Sequence, residues 1–191
     1  MIYVNDSFLP GSELRHRHLV DVVSDQRRGQ AELYVNLDDR LRSLEVFALL
    51  MSALRTEDGI SKPPVLNFND DGKPLLAEFP GIHISLSHSR NVVACMISER
   101  PCGVDVEECQ EPDLDIMKRV LSEVEIKKVK ESASPDIIFA RLWTRKEALY
   151  KLMGSRLDDS PLYWLDNCGN VEFNSSVSSR GYVVSSAVLR E

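Results

Sequence analysis

Residues 102–108 read Cys-Gly-Val-Asp-Val-Glu-Glu, and the rest of the chain can be interpreted outward from them. Val104 and Val106 alternate with acidic residues, which predicts a strand that buries its valines on one face. On the other face, Asp105 and Glu107 repel each other unless a cation lies between them. Oxygen ligands of this kind suit Mg2+, which takes waters and substrate phosphates as its other ligands. A solvent-exposed acidic strand has the same pattern, so this stretch alone leaves both interpretations open.

The composition is that of a folded globular protein. Of 191 residues, 43% are hydrophobic and 28% are charged, which suits one large domain or two small lobes. The formal net charge of -7 disfavours nucleic acid and anionic membrane surfaces as partners, and no apolar run approaches the length of a membrane span. None of the four cysteines forms a C-x-x-C pair, so we expect reduced thiols in a cytoplasmic protein.

Two segments have the apolar period of amphipathic helices. The first covers residues 37–54, and the second covers residues 137–153, which Gly154 ends. A shorter helix is predicted to begin at Ser122, because Glu125 three residues later completes a capping box.

Other apolar segments have the short lengths typical of strands. We expect strands over residues 65–68, 82–89, 91–98 and 182–189, and a hairpin that pairs residues 163–165 with 171–173. With the helices, these strands predict an α+β fold.

Two short sequence matches predict an internal repeat. Residues 40–43 (RLRS) match 141–144 (RLWT), and residues 91–94 (NVVA) match 182–185 (YVVS). We therefore expect a pseudo-two-fold pair of similar lobes, residues 1–101 and 102–191. Each lobe would pack a small antiparallel sheet against a long helix.

The second helix carries Trp143, Glu147 and Lys151 at four-residue spacing on one face. An exposed Glu–Lys pair contributes only about 0.3–0.5 kcal/mol and is common on surfaces. Because a tryptophan on the same face is costly to leave in water, this face is predicted to line a cleft. Glu147 would then add a third carboxylate to the ion, and Lys146 and Lys151 would face phosphates.

Two further elements are suited to anions. Gly72-Lys73-Pro74 holds a lysine in a rigid turn, and Ser87-His88-Ser89 ends a predicted strand with small hydrogen-bonding side chains. A plain surface turn would also explain the first element.

These elements resemble, in order and spacing, those of the 4′-phosphopantetheinyl transferases. The shared pattern is G-K-P, S-H-S, G-x-D-x-E and W-x-x-K-E-x-x-x-K, and the resemblance covers roughly residues 25–189. The length and two lobes are similar to the larger, monomeric branch of that family, the surfactin-synthetase-activating type. The resemblance implies transfer of the phosphopantetheine arm of coenzyme A to a serine of an apo acyl or peptidyl carrier domain, with release of 3′,5′-ADP.

The resemblance also implies roles for individual residues. The metal ligands would be Asp105, Glu107 and Glu147, binding Mg2+, with Mn2+ as an alternative. The coenzyme A contacts would come from Arg27, Arg42, Ser43, Lys73, Ser87, His88, Lys146 and Lys151. For the general base, we rank Glu147 first and Glu125 second, with a metal-bound water as a further alternative, and Lys151 would assist the leaving group. Ser85 stands where the family often has asparagine, which removes none of these ligands.

The carrier partner of this family is usually acidic. We therefore expect it to dock on a local basic segment, residues 117–130, despite the net charge of -7. Two rival functions use parts of the same pattern: a metal-dependent nuclease or nucleotide hydrolase, and a non-catalytic module that binds coenzyme A or a carrier. The net charge disfavours the first, and the complete set of three carboxylates disfavours the second.

Overall fold

The structure, a computed structural model, describes residues 1–7, 12–154 and 160–190. The helices are α1 (Glu13–Val22), α2 (Asp25–Glu32), α3 (Leu37–Asp58), α4 (Leu114–Val120), α5 (Glu123–Lys130) and α6 (Pro135–Met153), with a 3-10 helix at Pro161–Asn167. The strands are β1 (Ile2–Asn5), β2 (Leu66–Phe68), β3 (Pro74–Leu76), β4 (His83–Ser89), β5 (Val92–Ser98), β6 (Cys102–Glu108), β7 (Val171–Val177) and β8 (Tyr182–Leu189). The predicted α+β class with small antiparallel sheets is confirmed.

The chain divides into two compact units, Met1–Arg100 (unit 1) and Pro101–Glu191 (unit 2). In unit 1, an antiparallel sheet has the order β1-β5-β4, and β2 pairs with β3 in a separate hairpin. Helix α3 packs against one sheet face, where Ile84, Cys95 and Ile97 belong to the same buried cluster as its leucines. This helix ends at Gly59, whose φ of 67° is a left-handed conformation that glycine adopts without strain.

In unit 2, the antiparallel sheet has the order β6-β8-β7. Helix α6 packs on the face that carries Ala187 and Phe173, and the buried residues Ala148 and Leu152 belong to the same cluster. The register places Asp105 opposite Ser185, and Ser185 opposite Ser175. These three side chains therefore share the sheet face that α6 covers.

The two units share a topology. In each three-stranded sheet, the strand that comes last in the sequence lies in the centre, between the first and the second. In each unit, the long helix lies in the sequence between the first and second strands of that sheet. The predicted match between residues 91–94 and 182–185 does not reflect this likeness. The match aligns Val93 with Val184. Val93 lies on the same face of β5 as Cys95 and packs on α3, whereas Val184 lies on the face of β8 opposite to Ser185, which packs on α6. A one-residue shift in a strand exchanges its faces, so the topology repeats while these tetrapeptides do not correspond.

Other departures from the sequence prediction have local causes. Residues 13–32 form α1 and α2, which the polar composition of this segment did not indicate; each helix begins with a serine cap. The predicted strand at residues 163–165 is wrong, because Pro161 starts a 3-10 helix and Trp164 stacks on Tyr150 at 5.7 Å between ring centroids. Within the described ranges, no helix is long and apolar enough to cross a membrane.

Candidate active site

The packing of β6 against α6 depends on Gly103. A Cβ atom at this position would lie 2.0 Å from the carbonyl oxygen of Ala148 and 2.9 Å from the amide nitrogen of Leu152. The strand backbone therefore lies directly against the helix backbone, which only glycine allows. Asp105 and Glu107 follow at two-residue spacing on the same face, so this close approach sets them beside α6.

Asp105 on the strand and Lys151 on the helix form an ion pair in this region. Lys151 Nζ donates to Asp105 Oδ1 at 2.7 Å, with the aspartate almost fully buried and the lysine about one quarter exposed. A charge-assisted hydrogen bond in such surroundings is stronger than a surface ion pair. The predicted lysine and the predicted carboxylate are thus brought together.

Glu147, one turn before Lys151, adds a second helix-borne charge near Asp105. Burial is the main cause that raises the pKa of Glu147, and the negative charges of Asp105 and Glu107 raise this pKa further, whereas Lys151 lowers it. Asp105 and Glu107 are therefore close enough to Glu147 to influence its ionisation. Their mutual repulsion favours a cation or a proton among them.

The protein side chains alone do not enclose an ion. Among the residues that the structure describes, no three His, Cys, Asp or Glu side chains are arranged as a metal site. Asp105 meets an ammonium instead. Oxygen donors on two adjoining elements nevertheless fit the chemistry of Mg2+, which commonly takes one or two carboxylates from the protein and the remaining ligands from phosphates and water.

Lys146 lies in a different environment from Lys151. Its side chain is 0% exposed, and Nζ donates to Glu125 Oε2 at 2.7 Å. Three carbonyl oxygens complete its surroundings, those of Val120 at 2.8 Å, Pro161 at 2.8 Å and Leu162 at 3.2 Å. An ammonium has three N–H donors, and four acceptors already surround this one, so the predicted phosphate contact of Lys146 does not fit this arrangement.

Glu125 is also occupied within unit 2. Its Oε2 accepts from the Ser122 backbone N–H at 2.9 Å and from Lys146, so the predicted capping box is confirmed. A carboxylate committed to a helix cap and a buried ammonium is poorly placed to accept a proton from a substrate. The geometry therefore favours Glu147 over Glu125 as a general base.

A chain of hydroxyl groups, which sequence reasoning missed, fastens α6 to the sheet. Thr144 Oγ1 lies 2.7 Å from Ser185 Oγ, Ser185 lies 2.9 Å from Ser175 Oγ, and Arg145 Nε donates to Ser175 at 2.9 Å. Thr144 and Ser185 are fully buried. The signal was the serine pair inside the otherwise apolar β8, where a buried hydroxyl requires a partner.

The predicted phosphate residues of unit 1 fall into separate groups. Arg27 donates two hydrogen bonds to the Ser43 carbonyl oxygen, at 2.9 and 2.7 Å, and its guanidinium lies 5.8 Å from the centre of the Phe47 ring. The Ser43 hydroxyl is buried and has no hydrogen-bond partner among the described residues. Arg42 pairs with Asp39 and keeps part of its side chain exposed. Arg27 and Arg42 thus both have protein contacts, since Arg42 also donates to the Arg90 carbonyl oxygen at 3.2 Å, whereas the Ser43 hydroxyl retains hydrogen-bonding capacity.

The other two predicted elements lie in and near β4. Ser87 is buried and His88, the next residue, is exposed at the end of the strand. Lys73 lies in the turn between β2 and β3, where its backbone N–H donates to Asn69 at 2.8 Å. Its positive charge, after burial, is a cause that lowers the pKa of His83, which places the lysine near the start of β4.

Known proteins match a large part of the chain. Residues 101–186 match the model of the 4′-phosphopantetheinyl transferase superfamily. The 4′-phosphopantetheinyl transferase Sfp of Bacillus subtilis (strain 168) is 26% identical over 151 residues, which are 78% of this chain and 67% of the relative. The 4′-phosphopantetheinyl transferase gsp of Aneurinibacillus migulanus is 32% identical over 149 residues, 75% of this chain and 62% of the relative. The psf-1 transferase of Bacillus pumilus is 30% identical over 135 residues, 69% of this chain and 58% of the relative.

Proposed function

Since the chain belongs to the 4′-phosphopantetheinyl transferase superfamily, we propose that it transfers the 4′-phosphopantetheine group of coenzyme A to a serine of an apo carrier domain. The family and the enzyme class predicted from the sequence are confirmed by these relatives. The observation that carries the proposal is the group of Asp105, Glu107, Glu147 and Lys151 on β6 and α6. A pyrophosphate ester and its metal ion need this combination of charges.

The proposed metal ligands are Asp105, Glu107 and Glu147, with Mg2+ as the ion and Mn2+ as the alternative. The ion would neutralise charge on the pyrophosphate of coenzyme A as the bond to 3′,5′-ADP breaks. Burial is the main cause of the raised pKa of Glu147, and the negative charges of Asp105 and Glu107 add to it. This added repulsion supports the assignment, because an ion of opposite charge relieves it.

Lys151 is the proposed phosphate contact of unit 2. In this structure the Lys151 ammonium is paired with Asp105. Because the ammonium is partly exposed, it can replace the carboxylate oxygen with a phosphate oxygen at little cost. Beside the departing phosphate, its charge would stabilise the negative charge that remains on 3′,5′-ADP.

Glu147 is the proposed general base. The serine oxygen forms the new bond to phosphorus, its proton passes to the base, and the phosphoanhydride bond to 3′,5′-ADP breaks. The alternative base, Glu125, is occupied by the Ser122 backbone N–H and the Lys146 ammonium, which favours Glu147 for this role.

For the rest of coenzyme A, we propose the residues of unit 1. Arg42 and Ser43 would bind the 3′-phosphate, and Ser87, His88 and Lys73 would bind the remaining phosphate and ribose region. The buried Ser43 hydroxyl supports this role, since a polar atom without a partner is costly unless a ligand completes it. Arg27 would act through Ser43, whose carbonyl it already holds.

The proposed partner is an acidic acyl or peptidyl carrier domain. We propose that this chain binds the carrier as a monomer. Helices α4 and α5 expose five basic side chains, those of Lys118, Arg119, Lys127, Lys128 and Lys130. Lys118 and Lys127 lie near the exposed carboxylates of Asp115 and Glu131, at 3.7 and 3.8 Å. The basic side chains together would attract an acidic domain even on a protein with a net charge of -7.

Reversal of two of these charges tests the docking surface. Lys127→Glu combined with Lys128→Glu should raise the KM for the carrier at least about tenfold, since rim charges steer association, and should leave the KM for coenzyme A unchanged. Steady-state kinetics with each substrate varied in turn measures both constants. Equal increases in both would exclude this surface.

Intact-mass spectrometry tests the reaction itself. The protein would be incubated with coenzyme A, Mg2+ and an apo carrier domain, and the carrier should gain one phosphopantetheine group. A carrier whose acceptor serine is replaced by alanine is the control and should gain nothing. Absence of the adduct on several unrelated carriers would refute the proposed function.

A further inference from the structure

The contacts of Lys146 join three segments of unit 2 to helix α6. The Val120 carbonyl belongs to the end of α4, Glu125 belongs to the first turn of α5, and the Pro161 and Leu162 carbonyls belong to the 3-10 helix. None of these segments is covalently adjacent to residue 146. One ammonium therefore fixes both ends of the turn between α4 and α5, and it also fixes the segment that follows α6.

The position of Lys146 on α6 explains why it cannot also serve the carboxylate group. Neighbouring helix residues point about 100° apart. Glu147 and Lys151 lie on the side that meets β6, whereas Lys146 points to α5 and the 3-10 helix. Helix α6 thus presents charges of the proposed reaction on one side and a buried ion pair on another.

Unit 1 contains an ion pair with a buried carboxylate and a partly exposed guanidinium, at a place where no reaction is proposed. Glu45 on α3 is 1% exposed and accepts a bidentate hydrogen bond from Arg15 on α1. This pair attaches a short helix to the long helix that covers the sheet. A buried charge on the long helix is therefore explained in that unit by attachment of a neighbouring helix.

From these contacts we infer that Lys146 and Glu125 are a positioning pair, which sets α4 and α5 on the catalytic helix. This inference rests on the proposed function in one respect, that the exposed face of α5 receives the carrier domain. The buried end of α5 carries Glu125 and its exposed side carries Lys127 and Lys128. The pair thereby fixes where the docking charges stand relative to Glu147 and Lys151.

The inference separates two lysines that are only five residues apart. Loss of the Lys146 ammonium leaves a carboxylate and three carbonyls buried without their donor, so α5 and the 3-10 helix should loosen. Binding of coenzyme A should persist, because no ligand contact is lost. Loss of the Lys151 ammonium should weaken coenzyme A binding and leave α5 and the 3-10 helix in place.

Hydrogen exchange and ligand binding test this with two matched variants, Lys146→Met and Lys151→Met. In Lys146→Met, amide protection in α5 and the 3-10 helix should fall at least roughly tenfold, with α3 unchanged. The Kd for coenzyme A with Mg2+, measured by calorimetry, should stay within about twofold, and the KM for the carrier should rise at least about tenfold. Lys151→Met should weaken coenzyme A binding and leave the exchange of α5 unchanged.

A double variant keeps the test decisive if Lys146→Met does not fold. Adding Glu125→Gln retains the capping box and removes the unpaired buried charge, so the double variant should be more stable than the single one. If Lys146→Met or the double variant binds coenzyme A about 100-fold more weakly with unchanged exchange, Lys146 contacts the ligand and the inference is overturned.

The inference and the proposed function fail in distinguishable ways. If the wild-type protein modifies no carrier, the proposed function fails, and the statement about carrier docking fails with it. The exchange measurement needs no carrier and still decides whether the pair positions α5. Unchanged protection in Lys146→Met would overturn that part alone.

Discussion

The helix–sheet interfaces of the two units have the same topology and opposite chemistry. In unit 1, α3 meets Ile84, Cys95 and Ile97 in an apolar cluster. In unit 2, α6 meets Ala187 and Phe173 at one end, but carboxylates, a lysine and hydroxyl groups along the rest. Unit 1 shows that this arrangement of helix and strands closes with a mainly apolar interface, in which the buried charge of Glu45 on α3 is paired with Arg15 of α1. The charges of unit 2 are therefore not required by the topology, which favours a functional explanation for them.

The largest effect should follow from removal of these charges. Asp105→Ala and Glu147→Ala should each lower kcat/KM for the carrier at least about 10³-fold, because charge stabilisation in the transition state is lost. Both substitutions remove repulsion between carboxylates. Asp105→Ala also removes the ion pair with Lys151, but the Lys151 ammonium is partly exposed and can turn to water, so the fold should persist in both variants. Steady-state kinetics measures the loss of activity, and the melting temperature shows whether each variant is folded. An inactive variant that is also unfolded would show that the charges are structural and would break the comparison.

A smaller but clear effect is expected at Gly103, where β6 touches α6. Gly103→Ala places a methyl group against the Ala148 carbonyl and should cost about 3 kcal/mol of folding free energy or more, since backbone atoms must move apart. Denaturant unfolding measures the cost. Gly169→Ala is the control, because nothing lies within 4 Å of the added atom. Equal stability of the two variants would contradict the close packing.

Next in size is the hydroxyl chain of unit 2. Ser185→Ala removes hydrogen bonds to Thr144 and Ser175 and should cost about 1–2 kcal/mol. Ser176→Ala, at an exposed position of the same sheet, should change the folding free energy by no more than about 0.5 kcal/mol. Unfolding curves that coincide for both variants would show that the buried chain does not secure α6.

The smallest effect concerns the pH dependence of stability without added metal. Burial raises the pKa of Glu147 above its ordinary value of 4.5, so its ionisation in the folded state opposes folding. This penalty is absent below the unfolded pKa and grows as pH rises through the folded pKa. Glu147→Gln should therefore melt higher than the wild type at pH 8, with the difference vanishing near pH 4. A difference that grows towards acid pH would contradict the sign.

The sequence predicted much of this arrangement because the informative residues are local. The alternation around Asp105, the helical spacing of Glu147 and Lys151, and the capping box of Ser122 are each visible within a few residues. They correctly indicate a strand, a helix and a helix start.

What the sequence could not show depends on contacts across long separations. Lys146 stands beside Glu147 in the motif, yet it meets carbonyls 15 to 26 residues away, which no spacing rule reveals. Ser175 and Ser185 become informative only once the register of β7, β8 and α6 is known. Gly103 appears in the motif, but the need for glycine at this position comes from the close approach of the α6 backbone.

Manganese binding in the presence of coenzyme A tests the central claim, that the carboxylates of unit 2 hold a divalent ion for the pyrophosphate. Electron paramagnetic resonance of free Mn2+ would count the ions bound per chain in the wild type and in Asp105→Asn, which is close in size but uncharged. The account predicts one ion per chain in the wild type and a greatly weakened site in a folded Asp105→Asn variant. Equal Mn2+ affinity and stoichiometry in the two proteins would contradict it.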